Sequence, residues 1–545
     1  MNHTVFFLCA LFTMAGSILS AQITPASDDA PVTTPHTDPL STYAERITAS
    51  DIEGHLRVLA SDEFEGRETG TIGNDKAAAY IANHFETIGL QSPTSVERPF
   101  FQSVAFTRTG WDTTGMTVNG KDFRHLWDFL SFPTLNPLST EFADGEVVFA
   151  GYGIDDERYS DYAALDVEGK AVLIYQGEPF DKRGNSLVTG GRDTSEWSDD
   201  WRRKLVAAKA RGAELVLIIE HRLQEIVSEN RRFLVGSRMT MGYPDPNEIA
   251  VFPAHAFITT TLAEEVMGGQ KKAVLKARKK LSKGKIPKQP VTLESGCSAV
   301  LSKYQRTLDG QNVLGYLPGR DPELRDELIV VTGHYDHLGM RGDDIFNGAD
   351  DNGSGTSTVL DIAEAFAAAR DQGQGPRRSI LFMLVTGEEK GLLGSRYYVE
   401  HPVFPLEQTV ANVNVDMIGR VDEAHADNPN YVYVIGADRL STELHEINEA
   451  ANARYTELEL DYTFNAEDDP NQYYYRSDHY NFAERGIPAI FYFSGVHEDY
   501  HRPGDTADKI MYDKTATIGR LIFHTIRELA NRDERIVVDV VDEGE

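Results

Sequence analysis

The sequence predicts an α/β fold: a doubly wound, mostly parallel sheet interrupted by an inserted, β-rich domain. Three observations lead there. From about residue 297 to 530, apolar runs of strand length (Leu328–Val331, SILFMLV, AIFYF) alternate with amphipathic helical stretches, a pattern that builds parallel sheets covered by helices. Clusters of ionisable residues begin where those runs stop, and in open α/β sheets ligands bind beyond the carboxyl ends of the strands. Residues 136–293 have a different texture, with no dense His/Asp/Glu constellation.

In chain order, MNHTVFFLCALFTMAGSILSAQ reads as a secretory signal over 1–21, its apolar core between Val5 and Leu19, although Lys and Arg are missing ahead of it. An uncleaved anchor is the competing reading. Residues 22–40, rich in Pro, Thr and Asp, read as a flexible leader. Ser50–Glu53 resembles a capping box, and a Gly-rich loop leads into a helix from about Asn74 to Ile88, within a first portion of the main domain at 41–135. The insert at 136–293 mixes strands (GEVVFAGYGI, KAVLIYQGEP, GAELVLIIE) with a helix near Trp201–Arg211. It ends in nine Lys/Arg between Lys271 and Lys288, a solvated helix and linker or else a contact for an anionic surface. The main portion, 294–535, closes on the amphipathic TIGRLIFHTIRELANR, and 536–545 is an acidic tail.

A chain of 545 residues with 41% hydrophobic content supports two or three domains. A net charge of −32 argues against nucleic acid as a partner. Nothing after the first twenty residues is long and apolar enough to span a bilayer. With Cys9 lost alongside the signal, Cys297 alone remains, so no internal disulfide forms; export without disulfides fits a bacterial periplasm or the medium.

The chemistry concentrates where ELIVVTG runs into HYDHLG and NGADDNGSG, ahead of a helix with Ser354 and Thr356 as candidate caps. His334 and Asp336, two apart, face the same way on an extended segment, so Asp336 could hold the His334 ring from outside. Alone, the stretch also fits a polar loop with an N-cap Asp. Three further post-strand loops carry Glu388 and Glu389, Asp416 and His501, and a parallel sheet would gather all four on one rim. His334, Asp351, Glu389, Asp416 and His501 would suit two Zn2+ ions, with Asp351 shared and a water between the metals. Glu388, spare as a ligand, is then the candidate general base.

HYDHLG, NGADDNGSG, TGEEKGLLGS, NVDMIGR, RSDHYNFAERGIP and DYHRPGDT, in this order, resemble the co-catalytic dizinc exopeptidases: bacterial leucyl aminopeptidases, aminopeptidase Y, glutamate carboxypeptidase II and the non-enzymatic transferrin receptor. The resemblance implies a zinc-exopeptidase, phosphorylase/hydrolase-like fold, with 136–293 resembling a protease-associated domain. It implies zinc ligands at His334, Asp351 (in preference to Asp350), Glu389, Asp416 and His501, a base at Glu388 and a ligand-orienting acid at Asp336. It places a cis peptide bond after Asp351, and assigns Arg476 and Tyr500 to the substrate carbonyl. His337 and His479 are extra histidines, expected in rim packing or substrate contact. Asp505 is either a support for His501 or a turn residue.

The leading reading is a secreted dizinc aminopeptidase acting on peptides, with two Zn2+ per chain. A glutamate-type carboxypeptidase would share the metal ligands, and a receptor-like homologue would lack catalysis. Arg476, the one well-placed basic residue in the motif loops, goes by resemblance to the carbonyl. No clamp for a terminal carboxylate is then evident, which favours the aminopeptidase.

Overall fold

The computed structural model describes residues 39–244, 250–285 and 289–540. The signal sequence, nearly all of the leader and the end of the acidic tail lie outside the described residues, as do the last residues of the basic run.

Helices α1 (Ala49–Leu59) and α2 (Ile72–Thr87) come first. The cap of α1 is Thr48, in extended backbone, rather than Ser50, which is already helical. Thr48 Oγ1 accepts from the Asp51 amide at 3.1 Å and donates to the Asp51 carboxylate at 2.7 Å, so the reciprocal cap sits two residues before the expected Ser50–Glu53 box. Strands β1 (Phe101–Val118), β2 (Lys121–Phe123) and β3 (Phe129–Leu130) follow.

Residues 136–293 then supply β4 (Ser139–Phe149), β5 (Ala171–Tyr175), α3 (Glu196–Asp199), α4 (Arg202–Ala210), β6 (Leu215–Ile219), α5 (Leu223–Val235), β7 (Arg238–Met241), β8 (Ala254–Ile258), α6 (Thr260–Met267) and α7 (Lys271–Leu281). This segment therefore carries helix as well as the expected strand. Strands β4, β5, β6 and β8 pair in parallel, and parallel neighbours need crossover connections. The basic run forms α7, which buries Val274, Ala277 and Leu281 and leaves Lys272, Lys276 and Lys279 exposed.

The rest comprises β9 (Thr292–Leu317), β10 (Leu328–His334), β11 (Gly339–Arg341), β12 (Asp344–Phe346), α8 (Gly355–Asp371), β13 (Ser379–Val385), α9 (Leu393–Glu400), β14 (Thr409–Val415), β15 (Tyr431–Ile435), α10 (Thr442–Tyr455), β16 (Glu459–Asp461), α11 (His479–Ala483), β17 (Ala489–Phe493) and α12 (Tyr512–Asn531).

Among the described residues, fifteen strands join one mixed sheet, whose main path runs β16-β15-β17-β14-β10-β13-β9-β4-β5-β6-β8-β3. Its catalytic half is the parallel set β17, β14, β10 and β13, so four carboxyl ends share one edge. Alternate residues of β10 face opposite layers. Ile329 and Val331 pack with Ile81 and Phe85 of α2, Leu360 and Phe366 of α8 and Phe523 of α12. Leu328 and Val330 pack with Tyr398 and Val399 of α9 and Phe482 of α11. Helices on both faces make this half doubly wound. β9 links the halves: its first part pairs with β4, its last part with β13, and β1 runs antiparallel along most of its length.

Candidate active site

The four parallel strands deliver the ionisable groups. β10 ends on His334, β13 turns into Glu388 and Glu389, β14 stops before Asp416, and the loop after β17 carries His501. Their side chains converge. His334 Nε2 lies 3.3 Å from Asp416 Oδ1, 3.5 Å from Asp351 Oδ1 and 3.8 Å from Glu388 Oε2. His501 Nε2 lies 3.0 Å from Asp351 Oδ2 and 3.2 Å from Glu389 Oε1. The two carboxylate oxygens of Asp351 thus face different histidines. The Asp351–Asn352 peptide is cis. Met417 and His501 both hold left-handed backbone, with φ of 52° and 57°, an arrangement side chains tolerate mainly where the surroundings impose it.

His337 differs from its expected place. It is fully buried inside the cluster, with Nδ1 2.8 Å from Glu389 Oε1 and 3.8 Å from Asp351 Oδ2. Its neighbour in HYDHLG, Asp336, carries it inward, because the segment after β10 is covered by the loop holding Arg67 and Glu68. His479 is packing: it is buried and stacks on Phe491 with centroids 4.8 Å apart.

The supporting contacts are specific. His334 Nδ1 lies 3.0 Å from the Asp336 carbonyl oxygen, and 3.7 Å from the Asp336 carboxylate. That carboxylate accepts from Thr69 Oγ1 at 2.8 Å and from the Glu388 amide at 3.2 Å. Asp505 points to the Asp350–Asp351 backbone, accepting both amides at 3.0–3.1 Å, instead of supporting His501. Ser477 Oγ donates to Asp416 Oδ2 at 2.8 Å. Neither expected cap of α8 accepts an amide of the helix; Ser354 Oγ accepts instead from the Ile418 amide at 3.1 Å. A π-type turn over Ala349–Ser354 precedes the helix, and the Gly355 amide goes to Asn352 Oδ1. Ser354 Oγ donates to the Asp350 carbonyl and Thr356 Oγ1 to the His334 carbonyl.

The electrostatics follow from crowding. Burial resists charge on His334, yet Asp416 and Glu388 carry its pKa well above the ordinary value. Burial, with Asp416 and Glu389 nearby, pushes Glu388 well above the carboxylate range. Burial opposes ionisation of Glu389, but His337 and His501 hold it well below. Glu389 Oε1 and His337 Nδ1 are buried without a well-formed hydrogen bond. Carboxylates packed this way call for cations. Two groups of side chains could each hold a metal ion: His334, Asp351 and Asp416, and His337, Asp351 and Glu389.

A cleft of about 370 Å³ opens on the cluster. Arg476 and Tyr500 line it beside Asp351, Glu388, Asp416 and His501, while Met417, Tyr473, Phe491, Phe493 and Val496 form an apolar wall. Tyr500 stacks on His501 at 3.8 Å, and Arg476 lies over Tyr473 at 4.8 Å. The wall escaped sequence reasoning because Phe491 and Phe493 sit in a strand that reads as core; the signal available was the aromatic run ending β17 just ahead of the His501 loop.

Residues 312–526 match the model of Peptidase family M28. Aminopeptidase YwaD of Bacillus subtilis (strain 168) is 28% identical over 232 residues, 41% of this chain and 46% of that protein. Leupeptin-inactivating enzyme 1 of Streptomyces exfoliatus is 31% identical over 201 residues, 37% of this chain and 39% of its own. The chain thus spans about half the length of the curated relatives it matches. Among solved structures, an aminopeptidase from Aneurinibacillus sp. strain AM-1 superposes with a TM-score of 0.53 at 19% identity, covering 92% of this chain and 98% of that one, and so shares the fold. Over residues 312–526 the chain is thus similar to peptidase family M28, and over most of its length it shares the fold of a solved aminopeptidase.

Proposed function

We propose that the protein is an exported zinc aminopeptidase that removes the N-terminal residue of peptides. The observation that carries this is the convergence of His334, Asp351, Glu388, Glu389, Asp416 and His501 at the base of a cleft with an apolar wall. The donor set fits two zinc ions. His334 and Asp416 would hold one, Glu389 and His501 the other, and Asp351 would serve both through its two oxygens. His337 stands beside Glu389 as an outer partner that fixes its carboxylate. When bound, the ions polarise the scissile carbonyl and lower the pKa of water.

The chain's own residues then have separable tasks. Glu388 beside cations ionises, takes the proton of the attacking water and returns it to the leaving amine. Burial, then the carboxylates of Asp351, Glu389 and Glu388, keep the Tyr500 hydroxyl protonated, so it can donate to the carbonyl oxygen together with Arg476. The α-amine of the substrate, cationic near neutral pH, meets carboxylates such as Asp416. A terminal carboxylate would need a guanidinium or ammonium clamp, and among the described residues lining the cleft Arg476 is the one Arg or Lys. The apolar wall suits a large apolar first residue.

Residues 136–293 would form a protease-associated domain that shields or selects substrates; the absence of a dense catalytic-type cluster in its sequence supports a non-chemical role. The apolar N-terminal run supports export, and no helix among the described residues is long and apolar enough to cross a membrane. The test is polarity. Acetylating the N-terminus of a good peptide substrate should abolish cleavage, while amidating its C-terminus should leave the rate within about threefold. The opposite pattern would make the protein a carboxypeptidase.

A further inference from the structure

Away from the cleft, α1, α2 and α8 bring His55, His84 and Glu364 together, with one ligand atom from each lying within 4.8 Å of the others. The two rings meet edge to face with centroids 4.5 Å apart. We propose that these three residues form a further metal site, distinct from the cleft, that takes a first-row divalent transition ion such as zinc and fastens α1 and α2 to α8.

The arrangement has the parts such a site needs. Two imidazoles and one carboxylate make a donor set for zinc-type ions, whereas calcium and magnesium seek oxygen ligands in larger number. Histidines that bind metal have their second ring nitrogen held by another group, and both rings here are held. His55 Nδ1 lies 2.7 Å from the Tyr80 hydroxyl, which leaves Nε2 for an ion. The backbone of Leu360 hydrogen-bonds the His84 ring, and His84 Nε2 is buried with no partner.

The helices interlock. One turn of α2 separates Tyr80, which orients His55, from the ligand His84; one turn of α8 separates Leu360, which orients His84, from the ligand Glu364. Burial keeps both imidazoles below their ordinary pKa, His55 at about 4, so both are neutral at pH 7 and offer a lone pair. Zinc bonds of about 2.0–2.2 Å require the three donors to close in slightly, and the partly exposed Glu364 chain can supply that movement.

The experiment uses the full chain, dialysed against micromolar zinc, with bound metal counted by mass spectrometry in wild type, His84→Asn and Glu364→Gln. Wild type should hold one zinc more than either variant, and added zinc should raise the melting temperature of wild type but not of the variants. Turnover of a peptide substrate should be the same in all three, because none of these residues touches the cleft. Should His84→Asn fail to fold, Glu364→Gln decides alone, being a carboxylate-to-amide change at a partly exposed site. Equal zinc counts and equal zinc-dependent stabilisation in wild type and Glu364→Gln would overturn the proposal, as would millimolar calcium reproducing the effect. The outcome is independent of what happens at the cleft, since it is read as a difference between variants that share it.

Discussion

Arg67 offers a sharp test of how the metal-facing loops are held. It is 1% exposed, on the loop between α1 and α2, at a left-handed φ of 51°. Its guanidinium donates to four carbonyl oxygens: Tyr335 at 2.8 Å, Leu59 at 2.6 Å, Asn347 at 2.7 Å and Gly348 at 2.9 Å. Those oxygens belong to the end of α1, the segment between His334 and Asp336, and the turn leading to Asp350. Burial draws the guanidinium down to about 10, with Asp505 and Asp336 opposing, so it stays charged at pH 7. Arg67→Met keeps the apolar stem and deletes every donor. Charge-assisted bonds contribute about 1.5–3 kcal/mol each, but the simple sum overstates the loss, because the desolvation of a buried charge disappears too. Breaking such a network by removing one partner costs about 3–5 kcal/mol. Denaturant unfolding at pH 7 should show that loss. Arg67→Lys should lose a large part of it as well, since one ammonium cannot reach four carbonyls fixed by a planar fork. A loss below about 1 kcal/mol for Arg67→Met would refute this account of how the two loops are tied.

Three further outcomes are expected. Glu388→Gln should lower kcat by roughly 10²–10⁴-fold while metal content stays at the wild-type value; activity within tenfold would remove Glu388 from the mechanism. Phenanthroline should abolish activity and zinc or cobalt restore it, and active protein with only trace transition metal on elemental analysis would contradict the metal reading. Asp361 is 2% exposed, and burial lifts its pKa to about 7 from 3.8. Because the folded value is raised, its favourable contribution is present below about pH 4 and is lost as pH climbs to about 7. Asp361→Asn, whose amide oxygen can still accept from Thr48, should therefore gain on wild type across that window by about 2–4 kcal/mol; a pH-independent difference in unfolding midpoint would count against it.

The core strands of the catalytic half were legible because they are buried on both faces. Leu328–Val331 and SILFMLV are continuous apolar runs, and ionisable residues start where each run ends. β1 and β9 left no such mark. Their ladder is long, partly exposed and rich in Thr and Ser, so apolar residues are diluted and the pairing spans nearly two hundred residues. The ionisable residues of the cleft were readable because each lies in a motif loop. What holds them was not: Arg67, Thr69, Asn352 and Ser477 act through contacts between segments distant in sequence. The placement of His337 illustrates the limit. One residue from Asp336, it reads as peripheral until the loop carrying Glu68 closes over it.

The long strand β9 bears on how the molecule can move. Its pairing with β4 ends at Ser302 and its pairing with β13 begins at Val313. Between those points it is laddered to β1, which in turn pairs with β7, and β1 is irregular opposite Ser302 and Lys303, between Trp111 and Thr113. Residues 303–312 are therefore a narrow ribbon joining two broader slabs. A ribbon of paired strands resists folding about a line across it, because that would tear ladder bonds, but it yields to torsion, and a bulge locally concentrates twist. Any breathing of the 136–293 half over the cleft should then be a small screw-like rotation rather than a jaw-like opening.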